Sequence, residues 1–413
     1  MNHLQEEANR CLLCKNPKCQ KGCPINTPIP EIIKYYKDGQ IEKAGEVLFE
    51  NNPLSAICSI VCAHEKQCAG NCIRGIKGEP VEFYQIEKQL SLNYLENVNF
   101  KLPATRKDRI AIVGSGPAGL TIAFLLAERG YKITIFESKE KIGGVLRYGI
   151  PEFRLPKSIL DHMEQKLIQL GVRIRPNTLI GPVLTIDKLF DDGYKAIFLG
   201  TGVWNPKTLN IKGESLGNAI FAIDYLKSPS AYYIGKKVAV IGAGNVAMDA
   251  ARTALRSGAE EVIVFYRKGF EDMTATKTEI QEAIDDGVQF NLFKSPLEIL
   301  DEGLKYIQTE KTLDENNKVN VKSIKGSEAI YECDSVIIAI SQSPRNNIVA
   351  NTKGINTDTA GLLVADENGH TTRQGVFASG DVVTGARTVV EAVNYAKIVA
   401  NSIDEYCKSL NLI

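Results

Sequence analysis

Apolar positions along this chain follow two different rhythms. Up to about residue 100 they recur at helical spacing. "PIPEIIKYYKDG" and "QIEKAGEVLFENN" set their large apolar residues three and four apart and close on Gly or Asn; "VEFYQIEKQLSLNYLEN" does the same, so three helices are expected. "NFKLPATRKD" reads as a linker. The rhythm then changes. "RIAIVG" is a short apolar run stopped by glycine, as in a buried strand. "PAGLTIAFLLAERG" is a helix closed at Gly130, and "KITIFE" is the next strand. The same order recurs in "KKVAVIG", "NVAMDAARTALRSG" and "EVIVFY". Two βαβ units predict an α/β protein with two Rossmann-like dinucleotide-binding domains, preceded by a small helical domain.

Composition narrows the function classes. The chain has 413 residues, 44% apolar and 24% charged, with zero formal net charge. No basic stripe points to nucleic acid or to a membrane surface. The longest largely apolar run, Leu120 to Ala127, is far shorter than the ~18 residues of a membrane span. The N-terminal "MNHLQEEANR" lacks the apolar stretch of a secretory signal, so a cytoplasmic location is expected, where structural disulfides are rare.

The two glycine loops sit where strand meets helix. In "GSGPAG", Gly114 allows the tight turn, Gly116 lets backbone approach a pyrophosphate, and Gly119 lets helix pack on strand; Pro117 and Ala118 open the helix whose free N–H groups face the phosphates. Glu137 ends the following strand, where a carboxylate accepts ribose hydroxyls. The second loop, "GAGNVA", holds Gly242, Gly244, Asn245, Val246 and Ala247, with alanine in the third glycine's place. Its second strand ends in Arg267 and Lys268 rather than an acid. A cation there suits a 2′-phosphate, so NADPH is expected, with NADH as the alternative. Two such sites in one chain suggest FAD plus a nicotinamide.

Eight of the ten cysteines fall in the first 72 residues. Cys11, Cys14, Cys19 and Cys23 follow C-x2-C-x4-C-x3-C-P, two residues longer in the middle gap than the bacterial ferredoxin run. Cys58, Cys62, Cys68 and Cys72 form a second group, while Cys333 and Cys407 stand alone. Eight thiols can serve two 4Fe–4S clusters or two four-thiolate zinc sites. Ligand type does not separate these. The flavin and nicotinamide sites do: clusters take electrons singly from a two-electron donor, whereas zinc has no redox role.

Several further segments carry a family resemblance. "GVFASGDV", with Gly380 and Asp381 before a long helix, resembles the C-terminal FAD motif of two-dinucleotide-domain flavoproteins, whose aspartate contacts the ribityl chain. "AIFLGTG", ending at Gly202, and "VIIAISQSP" resemble their strand-crossing segments. With "ENNPLSAICSIVC", "GGVLRYGIPEFRLP" and the paired cysteine groups, the chain is similar over nearly its full length to the small subunit of bacterial glutamate synthase and the flavin subunit of dihydropyrimidine dehydrogenase. The resemblance implies a glutathione-reductase-like fold: residues 1–100 with two clusters, a split FAD domain at 101–228 and 340–413, and a nicotinamide domain at 229–339 between its halves. It implies one cluster on Cys11, Cys14, Cys19 and Cys72, and another on Cys23, Cys62 and Cys68. The fourth ligand of the latter, a glutamine in the dehydrogenase, falls at Glu87, with Cys58 a bystander or the alternative ligand. It also sets Gly143, Gly144 and Arg147 beside the flavin.

The expected function is transfer of electrons from NADPH through FAD and two clusters to a large catalytic subunit, of glutamate synthase or dihydropyrimidine dehydrogenase type. No side chain need act as acid or base, because hydride passes between cofactors. Three rivals are weighed. A disulfide reductase needs a cysteine pair beside the flavin, and none follows Cys72. A bifurcating NADPH–ferredoxin oxidoreductase needs flavin potentials that sequence does not encode visibly. A cluster-bearing sensor module would not turn over NADPH.

Overall fold

The computed structural model describes residues 3–102, 108–313 and 319–410; residues 103–107 of the expected linker lie outside them. Two compact units form. One gathers Met1–Arg147, Glu152–Val203 and Ser343–Ile413; the other gathers Tyr148–Pro151 and Trp204–Gln342.

The first unit begins with helices. The three expected ones run Ile29–Lys37, Ile41–Asn51 and Phe83–Asn97. Their apolar stripes meet in a core of Ile29, Ile32, Ile33, Leu48, Ile86 and Leu90. A further helix, His3–Arg10, comes from the polar N-terminus. Apolar rhythm did not announce it, because buried Glu7 anchors it: the carboxylate pairs with Arg10 and accepts the Glu82 N–H at 2.8 Å.

The same unit holds a five-stranded parallel sheet in the order Val376–Ala378, Tyr194–Leu199, Arg109–Val113, Lys132–Phe136, Arg173–Arg175. Arg109–Val113 feeds the helix Pro117–Glu128, and the strand order turns back on either side of it. Such a reversal opens a crevice at the carboxyl ends of the strands. The long helix Val389–Leu410 packs on Pro117–Glu128.

Aromatic packing locks the helical segment that carries the N-terminal cysteines to this fold. Phe124 is fully buried and meets Phe49 edge-on at 5.4 Å; Phe100 lies 5.3 Å from Phe49 and 6.4 Å from Phe124. Nearby, buried Lys166 donates to the Val98 carbonyl at 2.7 Å and to that of Glu96 at 3.2 Å, closing the end of Phe83–Asn97.

The second unit repeats the parallel design in the order Ala219–Phe221, Ser335–Ile338, Lys237–Ile241, Glu261–Tyr266, Gln289–Leu292. Ala219–Phe221 pairs with Ser335–Ile338 at the edge of this sheet. An antiparallel sheet of Lys294–Leu300, Gly303–Leu313, Val319–Ser323 and Ala329–Glu332 is added, which apolar rhythm did not foretell. Its strands are largely half-exposed and carry little apolar signal. Among the described residues no helix is long and apolar enough to cross a membrane.

Truncating Phe124 removes the ring that both segments share. Phe124→Ala should cost about 3–5 kcal/mol, read as a lowered midpoint in chemical denaturation.

Candidate cofactor sites

The eight N-terminal cysteines separate into two neighbourhoods. Cys11, Cys14, Cys19 and Cys72 line one cavity of about 100 Å³, walled by Ile29, Phe83 and Cys68. Burial raises the Cys11 thiol, and the neighbouring Cys14 and Cys72 add to the effect. Cys19 is pushed up to about 11 by burial first, then by Cys72, Cys11 and Cys14. Four thiolates placed like this repel one another, so a cationic centre must neutralise them. Four cysteines lining one such space are a donor set that fits an iron–sulfur core.

The second neighbourhood contains Cys62, Cys68, Cys23 and Glu87, with Cys58 alongside. Cys62 is driven up by its hydrogen bond with Cys58, then by burial and by Cys58, Glu87 and Cys68. Burial, Glu87 and Cys23 raise Cys68. Glu87 is buried, and burial followed by Cys58 lifts its carboxyl far above the carboxylate range. A carboxyl sunk among thiols stays protonated unless a metal arrives, which makes it a fitting oxygen donor to iron. The sequence did not point to His64. Its ring stacks on Tyr84 at 4.3 Å, and its Nδ1 lies 3.7 Å from Cys68 Sγ.

The flavin cradle is built from backbone. Gly114 donates its N–H to the Phe136 carbonyl at 2.9 Å, which ties the loop to the neighbouring strand. A Cβ on Gly119 would lie 2.0 Å from the Gly114 oxygen, so only glycine lets Pro117–Glu128 start here. Three distant segments meet the loop. Gly144 abuts it so closely that a Cβ would sit 2.8 Å from Gly116 Cα. Gly143 donates to the Ser115 carbonyl and Oγ, each at 3.1 Å. Gly380 packs on Ala118, its ideal Cβ 3.2 Å from that methyl. Gly202, at φ +68, follows the strand Tyr194–Leu199.

Two acids and an arginine take particular roles there. The buried Glu137 carboxylate accepts the Ser115 N–H at 3.0 Å, the Ser115 hydroxyl, and the Lys139 N–H at 2.8 Å. It thus holds the turn in shape. Ser115 is a contributor that the glycine motif does not specify. The Arg147 guanidinium bonds the Ile142 carbonyl at 2.7 Å and Asp161 at 2.6 Å, so it braces the Gly143–Gly144 turn. Asp381 accepts the Arg387 N–H at 3.2 Å, and burial lifts its carboxyl to about 6, with Glu391 adding to the rise. Next to it, the buried Ser379 hydroxyl has no protein partner, as expected of a group waiting for a ligand.

The second loop repeats these contacts inside its own unit. Gly242 donates to the Phe265 carbonyl at 3.2 Å, and Gly244 precedes the helix Asn245–Arg256. Asn245 Oδ1 accepts the Thr276 N–H at 3.2 Å, and Val246 and Ala247 pack on the core. Arg267 lies exposed just past Glu261–Tyr266, with half-buried Lys268 beside it.

Comparison with known proteins follows this geometry. Residues 108–396 match the pyridine nucleotide-disulphide oxidoreductase family, and residues 1–98 match the dihydropyrimidine dehydrogenase domain II, 4Fe-4S cluster, family. The small chain of NADPH glutamate synthase from Halomonas elongata is 32% identical, over 97% of this chain and 90% of that one. The NAD-dependent dihydropyrimidine dehydrogenase subunit PreT of Escherichia coli is 30% identical, over 97% and 93%. In fold, FprA of Mycobacterium tuberculosis in complex with NADPH superposes with a TM-score of 0.63 at 19% identity, covering 74% of this chain and 86% of FprA.

The Asp381 carboxyl gives a pH dependence. Its folded pKa, about 6, lies above the ordinary 3.8, so folding favours the protonated form. Stability of the FAD-free chain should therefore be greatest below pH 4 as far as this group is concerned, and its contribution should be lost as pH rises through 6. Asp381→Asn should remove that decline, leaving the variant more stable by on the order of 2 kcal/mol at pH 8. Thermal melts across pH 4–8 check it.

Proposed function

Because the chain belongs to the pyridine nucleotide-disulphide oxidoreductase family and carries an N-terminal 4Fe–4S domain, we propose that it is the electron-input subunit of a larger enzyme. The membership makes it an NAD(P)H-dependent oxidoreductase. One observation carries the finer reading: two thiol neighbourhoods and the flavin cradle belong to one compact unit. FAD, when bound, accepts two electrons with a hydride and passes them on singly to iron–sulfur clusters.

The chain's own residues supply placement. Gly114, Gly116 and Gly119 free the N-terminus of Pro117–Glu128 for the FAD pyrophosphate, while Glu137 receives ribose hydroxyls and Asp381 the ribityl chain. Gly242, Gly244 and Ala247 do the same for NADPH, and Arg267 with Lys268 neutralises the 2′-phosphate. Cys11, Cys14, Cys19 and Cys72 hold one cluster. Cys23, Cys62, Cys68 and Glu87 hold the other.

The partner is a large catalytic subunit. Glutamate synthase type is favoured, since Glu87 departs from the dehydrogenase glutamine. A cytoplasmic setting, where structural disulfides are rare, suits cysteines kept as cluster ligands. Cys333 and Cys407 are each buried.

Anaerobically purified protein should contain about eight irons per chain and oxidise NADPH with an artificial one-electron acceptor. Cys14→Ser should halve the iron and keep the FAD. A yellow protein that holds zinc and never yields a paramagnetic iron signal would end the proposal. Arg267→Ala should lower kcat/KM for NADPH about 10- to 100-fold and leave that for NADH nearly unchanged, measured by steady-state kinetics with both nucleotides.

A further inference from the structure

A line of hydrogen bonds runs from the C-terminal helix of the flavin fold to one cysteine sulfur. Lys397 lies in Val389–Leu410, the helix that begins just past Asp381 and Arg387. Its Nζ donates to the Asn51 carbonyl at 2.6 Å and to Asn51 Oδ1 at 3.1 Å. Asn51 Nδ2 donates to Thr27 Oγ1 at 3.3 Å, and Thr27 Oγ1 lies 3.3 Å from Cys23 Sγ. Thr27 is only 3% exposed.

The direction of the first two bonds is dictated, and that of the third follows once Cys23 is a cluster thiolate, which can only accept. An ammonium has only protons to give, so the oxygen of Asn51 must face it. The amide NH₂ is left for Thr27, whose oxygen accepts it. The threonine proton is then free for the sulfur. Donors therefore point at Cys23 all along the line, and each polarises the next in a partly buried setting. Part of this arrangement has a simple structural use, since the lysine charge also closes the carboxyl end of Ile41–Asn51. That use needs only the Asn51 carbonyl. It explains neither the second bond, to Oδ1, nor the continuation to Thr27 and Cys23.

We propose that Lys397, Asn51 and Thr27 form a positioning relay that raises the reduction potential of the cluster held at Cys23 above that of the cluster held at Cys11, Cys14, Cys19 and Cys72. The couple is the uptake of one electron by the cluster, with no proton or ligand exchanged. The reduced cluster is one charge more negative, so a cation and a string of donors aimed at its sulfur favour it. The proposal rests on the assignment of Cys23 as a cluster ligand.

The test is a redox titration of the complete FAD- and iron-loaded protein followed by electron paramagnetic resonance. Cys14→Ser, which removes the other cluster, identifies the signal belonging to Cys23. Thr27→Val cuts the relay at the sulfur; Lys397→Met cuts it at the far end and leaves the ligand loop intact. Each should lower that one midpoint so that the reduced-to-oxidised ratio at fixed poise falls about tenfold, 59 mV for one electron, while the second signal stays in place. Thr27→Ser and Lys397→Arg should restore it. Should Thr27→Val lose iron, Lys397→Met alone decides. Wild-type midpoints in the variants, with iron content intact, would overturn the relay. A wild-type protein with only four irons would instead remove the ligand assignment beneath it.

Discussion

The packing of Phe124 against Phe49 and Phe100 is the contact on which the rest of the design depends. It is apolar and has no role in chemistry. What it does is hold a helical segment of eight thiols to a flavin fold as one body. Electron transfer between bound groups needs fixed spacing, and a flexible tether would not provide it. The Lys166 bonds to the end of Phe83–Asn97 and the Lys397 bonds to the end of Ile41–Asn51 add polar anchors on the same contact. Both lysines reach helix carboxyl ends, where unpaired carbonyls favour a cation.

In the proposed assignment, charge near that contact would be managed by the iron groups rather than by side chains. Burial and crowding raise Cys11, Cys19, Cys62 and Cys68, and Glu87 moves the same way. Without iron these groups keep their protons. In the proposed assignment they would release those protons on becoming iron ligands, which would couple cluster assembly to the ordering of this segment.

The dinucleotide loops solve a different problem. They must bring backbone N–H groups to a polyanion without a clash, and glycine contacts as tight as Gly119 on Gly114 achieve it. Glu137 links the loop to its strand end through Ser115 and Lys139. The same carboxylate thus holds the turn and, in the proposed assignment, would receive the ribose.

The sequence by itself determined the two βαβ units, the glycine loops, the acid at Glu137 against the cations at Arg267 and Lys268, and the concentration of thiols near the start. These are local: a strand, a turn and a helix start within a few residues, and their residue types follow from backbone geometry. The antiparallel sheet from Lys294 to Glu332 escaped, because its half-exposed strands carry no apolar rhythm. So did the anchoring of the first helix by Glu7. Spacing alone could not say which thiols sit together. The family resemblance grouped Cys72 with Cys11 and Glu87 with Cys62 and Cys68; the tertiary structure alone shows how those groups meet and carries Lys397 to Asn51. Those partners are separated by tens to hundreds of residues, and no local preference of the backbone encodes a meeting that helix packing makes.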